Sequence, residues 1–204
     1  MNFTACRHRL RARLFTWLRR PGDAAEEYRQ LLVSDPGSTI ALNGLAFQAA
    51  ARGESAEAER LFRQSLAAKP EQPAVWHNLG YMLDRQGRHE EAVTAFTEAT
   101  RFAPKLDQAW YGLGHASAAL GRHADAVTAL EKAMALVPDN PHVLYSLGMA
   151  HHKLGDADKV TGIAEHLNRY DRRTTLQLIR DSGRTDLEHL IADYEPDFFN
   201  RKER

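Results

Sequence analysis

Apolar and polar positions along this 204-residue chain follow two rhythms at once. In short windows the apolar residues fall at i, i+3, i+4 and i+7, as Trp76, Leu79, Gly80 and Leu83 do, which is one face of an α-helix. Over the whole chain the same residue classes return every 34 residues. Trp76, Trp110 and Leu144 keep that spacing, as do Leu45, Leu79, Leu113 and Leu147. Small residues keep it at Ala46, Gly80, Gly114 and Gly148, and glycine keeps it at Gly53, Gly87, Gly121 and Gly155. Ala58, Ala92 and Ala126 follow, then Phe62, Phe96 and Leu130, and Pro36, Pro70, Pro104 and Pro138 complete the set. One period shared by so many residue classes marks an internal repeat.

Each repeat predicts two helices. In 73–106 the first helix ends at Gly87, which supplies the left-handed conformation a helix terminus needs. Ala92, Phe96 and Ala99 mark the buried face of the second helix, and Pro104 stops it. Small residues are expected where the two helices cross: Gly80 facing Ala92 and Gly114 facing Ala126, with Trp76 and Phe96 filling the space above. Such a hairpin cannot bury its apolar face alone, so stability must come from stacking on its neighbours.

The pattern of Trp76, Leu79, Gly80, Leu83, Ala92, Phe96, Ala99 and Pro104, met again in Trp110, Leu113, Gly114, Ala126, Leu130, Ala133 and Pro138, resembles the tetratricopeptide repeat (TPR) family over roughly residues 5–172. The resemblance implies an all-α fold, a right-handed superhelical solenoid of antiparallel helix pairs. Three units are well formed, 39–72, 73–106 and 107–140. A fourth, 141–174, departs in its second half, with Val160 at a small-residue position, Gly162 inside the helix and Arg172 in place of proline. Residues 1–38 make a degenerate first unit in which Arg11 replaces the usual Leu and Arg19 the usual Gly. Residues 175–194 are expected to cap the solenoid with short helices near 173–181 and 185–194, Thr185 being the N-cap of the second. In the tail, 195–204, Phe198 and Phe199 are either a last packing contact or a docking element.

The same resemblance implies a concave groove lined by the first helices. Projecting the positions beside the packing face gives Asn43 and Phe47, then His77, Tyr81 and Asp84, then Gln108, Tyr111 and His115, then His142, Tyr145, Met149 and His152. Tyrosine and methionine suit partner binding because they bring apolar area with adaptable contacts. The competing reading is that Tyr81, Tyr111 and Tyr145 only pack against neighbouring helices. TPR co-chaperones that clamp a C-terminal carboxylate use Lys, Asn and Arg at set groove positions, a ring of donors around an anion. Here those positions carry Asn43, Phe47, Asn78, Gln108 and Gly112, without Lys or Arg, so that partner class is not expected.

Charge changes the picture at one end. The chain holds 27 Lys+Arg and 27 Asp+Glu, a balance that argues against a nucleic-acid partner. Yet residues 1–20 contain Arg7, Arg9, Arg11, Arg13, Arg19 and Arg20 and no acid, leaving 21 bases and 27 acids in the remaining 184 residues, a net of −6. Leu10, Leu14, Trp17 and Leu18 form an apolar stripe among these arginines. Three readings stand. The stripe packs as the first helix of the first unit, or it contacts an anionic membrane or an acidic partner, or it belongs to an organelle presequence.

No stretch approaches the roughly 18 apolar residues of a membrane span. Cys6 is the single cysteine, which fits a reducing compartment and a cytoplasmic location. The chain lacks a P-loop, G-x-S-x-G, H-E-x-x-H or paired CxxC motif. His77, His115, His142 and His152 are spread over three repeats, so neither a metal nor any other cofactor is expected. Asp156 and Asp158 read as helix-capping acids at an inter-helix turn. The expectation is a non-enzymatic adaptor that holds a partner protein or peptide in its groove. The alternative is a self-assembling module that forms homo-oligomers and touches a membrane surface through its basic N-terminal helix.

Overall fold

A computed structural model describes residues 3–194, so Phe198 and Phe199 lie outside the described residues. Eleven α-helices and a final 3-10 helix account for the regular structure, with no strand among the described residues. The chain divides into two compact units, Met1–Ala103 and Pro104–Arg204. The first contains α1 (Phe3–Trp17), α2 (Pro21–Ser34), α3 (Thr39–Ala51), α4 (Ser55–Ala68), α5 (Pro73–Arg85) and α6 (His89–Phe102). They pair as the hairpins α1/α2, α3/α4 and α5/α6, and α2 packs on α3 as α4 packs on α5. The second unit contains α7 (Asp107–Ala119), α8 (His123–Leu136), α9 (Pro141–Leu154), α10 (Ala157–Asn168), α11 (Arg172–Ser182) and the 3-10 helix Thr185–Ile191. Here α7/α8 and α9/α10 pair, α8 packs on α9, and α11 lies against both α9 and α10.

At the helix crossings the nearest neighbours of the glycines are the bulky residues one turn beyond Ala92 and Ala126. A Cβ placed on Gly80 would stand 2.9 Å from the Phe96 ring, and one on Gly114 would stand 2.5 Å from Leu130 Cγ and 3.3 Å from the Ala126 carbonyl oxygen. The Phe96 ring, one helical turn beyond Ala92, thus fills the place of the missing side chain at Gly80. Gly114 meets Leu130 first and the Ala126 backbone second. In the next repeat the position of Phe62, Phe96 and Leu130 is taken by Ala164, which is too small to fill the gap. Leu178 of α11 fills it instead, 2.8 Å from a Cβ built on Gly148. Leu178, Ala164, Leu167 and Leu144 form one buried cluster. The repeat thus ends where its filler residue shrinks and the following helix supplies a substitute.

Every first helix closes in the same way. Gly53, Gly87, Gly121 and Gly155 adopt φ of +78, +76, +74 and +81°. The next residue's N–H then donates back to the helix, Arg88 to the Leu83 carbonyl at 3.0 Å and Arg122 to the Ser117 carbonyl at 2.9 Å. Arg19 occupies this register in α1, and it too takes a left-handed φ of 55° with Arg20 N–H donating to the Phe15 carbonyl at 2.9 Å. The hairpin geometry is kept although a side chain pays steric strain for it.

The N-terminal helix packs on α2, but through the opposite face to the one its bulky residues suggested. Ala12 is fully buried in a cluster with Ala24, Tyr28, Leu31 and Ala41, flanked by Ala5 and Phe15. His8 Nδ1 lies 2.6 Å from Glu27 Oε2, and Arg11 reaches Glu27 Oε1 at 2.9 Å. The stripe Leu10, Leu14, Trp17 and Leu18 is exposed. The reason is crossing distance: Ala12 stands in the same register as Ala46, Gly80 and Gly114, and only a small residue lets two helix backbones approach.

At the C-terminal end α11 is capped by Asp171, whose side chain accepts from the Thr174 N–H at 2.9 Å. The second capping helix is a 3-10 segment that Thr185 begins as a helical residue, not as an N-cap. Asp156 does not cap α10 with its side chain; it bonds to His151 Nδ1 at 3.0 Å.

Two expectations follow for stability. Gly114→Ala should cost ~1–3 kcal/mol by overpacking, whereas Gly162→Ala, whose Cβ would meet nothing within 4 Å, should gain ~0.5–1 kcal/mol. Opposite shifts of the urea midpoint, followed by far-ultraviolet circular dichroism, check the pair; shifts of the same sign would contradict it. Arg19→Gly should stabilise by about 1 kcal/mol by relieving the left-handed strain, and an unchanged or lower melting temperature would show that no strain is held there.

Candidate functional site

In the first unit Asn43 and Phe47 lie on α3, and His77, Tyr81 and Asp84 on α5. Asn43 donates its side-chain amide to Gln72 Oε1 at 2.8 Å, which ties α3 to the residue preceding α5. Gln72 in turn donates to the Ser65 carbonyl and the Lys69 carbonyl at 3.0 and 2.7 Å, so the turn between α4 and α5 is pinned from three sides. Phe47 sets its edge against Phe62 with ring centroids 5.3 Å apart, and His77 tilts over Phe96 at 5.8 Å. Asp84 Oδ1 accepts from His89 Nδ1 at 2.8 Å across the hairpin turn.

Phe47, although its edge meets Phe62, and Tyr81 are the large aromatics of this face that stay exposed. They occupy one register position, 34 residues apart, and they are 44% and 54% exposed. Tyr81 has the Arg85 guanidinium 6.0 Å from its ring centre, so the ring already holds a cation over its face.

In the second unit Gln108, Tyr111 and His115 lie on α7, and His142, Tyr145, Met149 and His152 on α9. Tyr111 and His115 rings are 6.4 Å apart, with His115 exposed and Tyr111 packed beside Val143 and Leu147. Gln108 and His142 are exposed and His152 is half-buried. Tyr145 and Met149 are covered by α11: both pack against the cluster of Leu178 and Ile179, and the Tyr145 hydroxyl donates to Asp181 Oδ2 at 2.5 Å. Burial first, and then the Asp181 carboxylate, push the Tyr145 phenol up to about 12. On α9 the packing role of tyrosine is realised.

The sequence reading missed a second concavity on the other side of the first unit. A groove of about 450 Å³ lies between α4 and α6 over α5, walled by Leu66, Ala67, Thr94 and Ala95 and floored by Trp76, Leu79 and Leu83. Trp76 is held by its indole N–H, which donates to the Pro70 carbonyl at 2.8 Å, and Trp110 repeats the bond to Pro104 at 2.9 Å. Arg63, Arg88, Glu59 and Glu91 form an ion-pair network that links α4 to α6 along its rim. The joint recurrence of Trp and Pro at one period was the available signal for this bond. Among the described residues no group of three or more His, Cys, Asp or Glu side chains could hold a metal ion. No helix among them is long and apolar enough to cross a membrane.

Helix pairs of this period, with these crossings and turns, match a known family profile over residues 42–170, described as the cilia and flagella-associated protein 70 middle TPR-like domain. The chain belongs to this TPR-like family. Solved TPR structures superpose on most of it. MamA residues 41 to the end from Desulfovibrio magneticus RS-1 share 19% identity at a TM-score of 0.71, covering 89% of this chain and 98% of that one. YrrB, described as a TPR protein with an unusual peptide-binding site, shares 18% at 0.75, covering 83% and 88%. PilF of Pseudomonas aeruginosa shares 21% at 0.68, covering 94% and 93%. At these identities the likeness is one of fold. No curated protein sequence matches the chain.

The raised Tyr145 phenol gives the TPR end-cap a pH signature. Because its folded value lies above the ordinary 10.0, the contact stabilises fully below that ordinary value and is lost as pH rises through the folded one. Melting temperatures between pH 9 and about 12 should therefore fall more steeply in the wild type than in Tyr145→Phe, which has no phenol to ionise. Parallel curves would show that the Asp181 contact is not formed.

Proposed function

We propose that this TPR chain is a non-enzymatic interaction scaffold, and that its first unit holds an extended segment or helix of a partner protein against the face formed by Asn43, Phe47, His77, Tyr81 and Asp84. The observation that carries the reading is the exposure of two large aromatics, Phe47 and Tyr81, at one register in consecutive repeats. Their neighbours on the face are polar and anchored by hydrogen bonds or ring contacts. An apolar ring left in water beside preorganised polar groups is the composition of a recognition surface, in which aromatic anchors supply most of the energy. Anchoring before binding reduces the ordering cost of association. In the second unit His115, Gln108 and His142 offer the corresponding open positions, while Tyr145 and Met149 serve the end-cap. The fold relative YrrB, described as having a peptide-binding site, supports a peptide as the ligand class. The single exposed thiol, Cys6, supports a reducing, cytoplasmic setting.

A selection from a random peptide display library on the full chain tests this. Peptides so obtained should bind wild type measurably by calorimetry, and Tyr81→Ala and Phe47→Ala should each weaken them roughly tenfold or more, with helical circular dichroism unchanged. Peptides whose affinity is indifferent to both substitutions would remove the first-helix face from consideration.

A further inference from the structure

The outward face of α1 is not used by the repeat stack. Phe3, Leu10, Leu14 and Trp17 run along it in one stripe, continued by Leu18, and Trp17 and Leu10 are 78% and 61% exposed. The stripe is bordered by Arg7, Arg9 and Arg13, all exposed, and no acid occurs in residues 1–20. Arg9 and Arg13 make no ion pair among the described residues, unlike Arg11 and Arg20, which meet Glu27 and Asp23.

Register shows what this face is not built to receive. In α3 the preceding hairpin is received through Ala41 and Leu45, which pack with Tyr28 and Leu31 of α2. In α9 the same two positions, Val143 and Leu147, pack with Leu130 and Ala133 of α8. In α1 they are Arg7 and Arg11. A helix of another protein seated here as in the internal repeats would bury two guanidinium groups, a cost no apolar contact offsets. A lipid surface imposes no such cost: arginine stems lie along the apolar layer while their heads reach phosphate oxygens. The indole of Trp17 suits the same boundary, apolar on its faces with one N–H donor.

We propose that α1 docks the chain on an anionic membrane surface, lying in the plane of the headgroups with Leu10, Leu14 and Trp17 inserted and Arg7, Arg9 and Arg13 on lipid phosphates. Arg9 and Arg13 stand in the register of Asn43 and Phe47, so one border of this surface continues the first-helix face of α3 and α5.

Flotation of the full chain with vesicles of phosphatidylcholine, with and without phosphatidylglycerol, tests the proposal. The chain should float only with the phosphatidylglycerol vesicles and be released by high salt. Arg9→Gln with Arg13→Gln should weaken this association roughly thirtyfold, and Leu10→Ser with Trp17→Ser should abolish it; all four sites are exposed, so circular dichroism should be unchanged. Failure to float, or variants that float like the wild type, would overturn the assignment. So would a concentration-dependent dimer that Leu10→Ser with Trp17→Ser dissolves in the absence of lipid binding, since the face would then seat a second copy.

Discussion

A small residue at the helix crossing is the constraint on which the repeats depend. Phe96 and Leu130 occupy space that any side chain on Gly80 or Gly114 would claim, and the α1/α2 and α3/α4 hairpins keep the same position small with Ala12 and Ala46. That close crossing sets which faces of the first helices turn inward to the second helix, which turn to the preceding hairpin, and which are left over. The leftover face is where Phe47 and Tyr81 stand. Packing therefore determines the position of this exposed face without contributing its chemistry.

The same constraint explains how the array ends. With Ala164 in the filler position, the space beside Gly148 is taken by Leu178, and α11 is drawn across α9. Tyr145 and Met149 are then covered, and Tyr145 exchanges water for Asp181. The register that leaves Phe47 and Tyr81 exposed is half-buried at Met149, as is Tyr145, because α11 is drawn against α9.

Most of the fold was legible because the period repeats and the residue classes within it are physically distinct: small, aromatic, glycine, proline. Gly87 was read correctly as a left-handed terminus, and even Arg19, which breaks that rule, obeys the geometry. What failed was the orientation of α1. Its bulky residues were the more hydrophobic arc, yet the crossing selects for size, and Ala12 in the small-residue register was the signal that the stripe faced outward. The filler role of Leu178 was illegible, since it comes from outside the repeat. For the site, register alone listed twelve candidate positions with no means of separating those that water reaches from those that α11 covers.

On this reading a partner lies on the first-helix face and not in the apolar groove over Trp76 on the opposite side. Photo-crosslinking decides between them most directly. Benzoylphenylalanine is placed in turn at Tyr81 and at Thr94, which lines the opposite groove, and each variant is irradiated with a display-selected peptide. A covalent adduct is expected from position 81 and none from position 94. An adduct from position 94 alone would contradict it and transfer the binding site to the groove between α4 and α6.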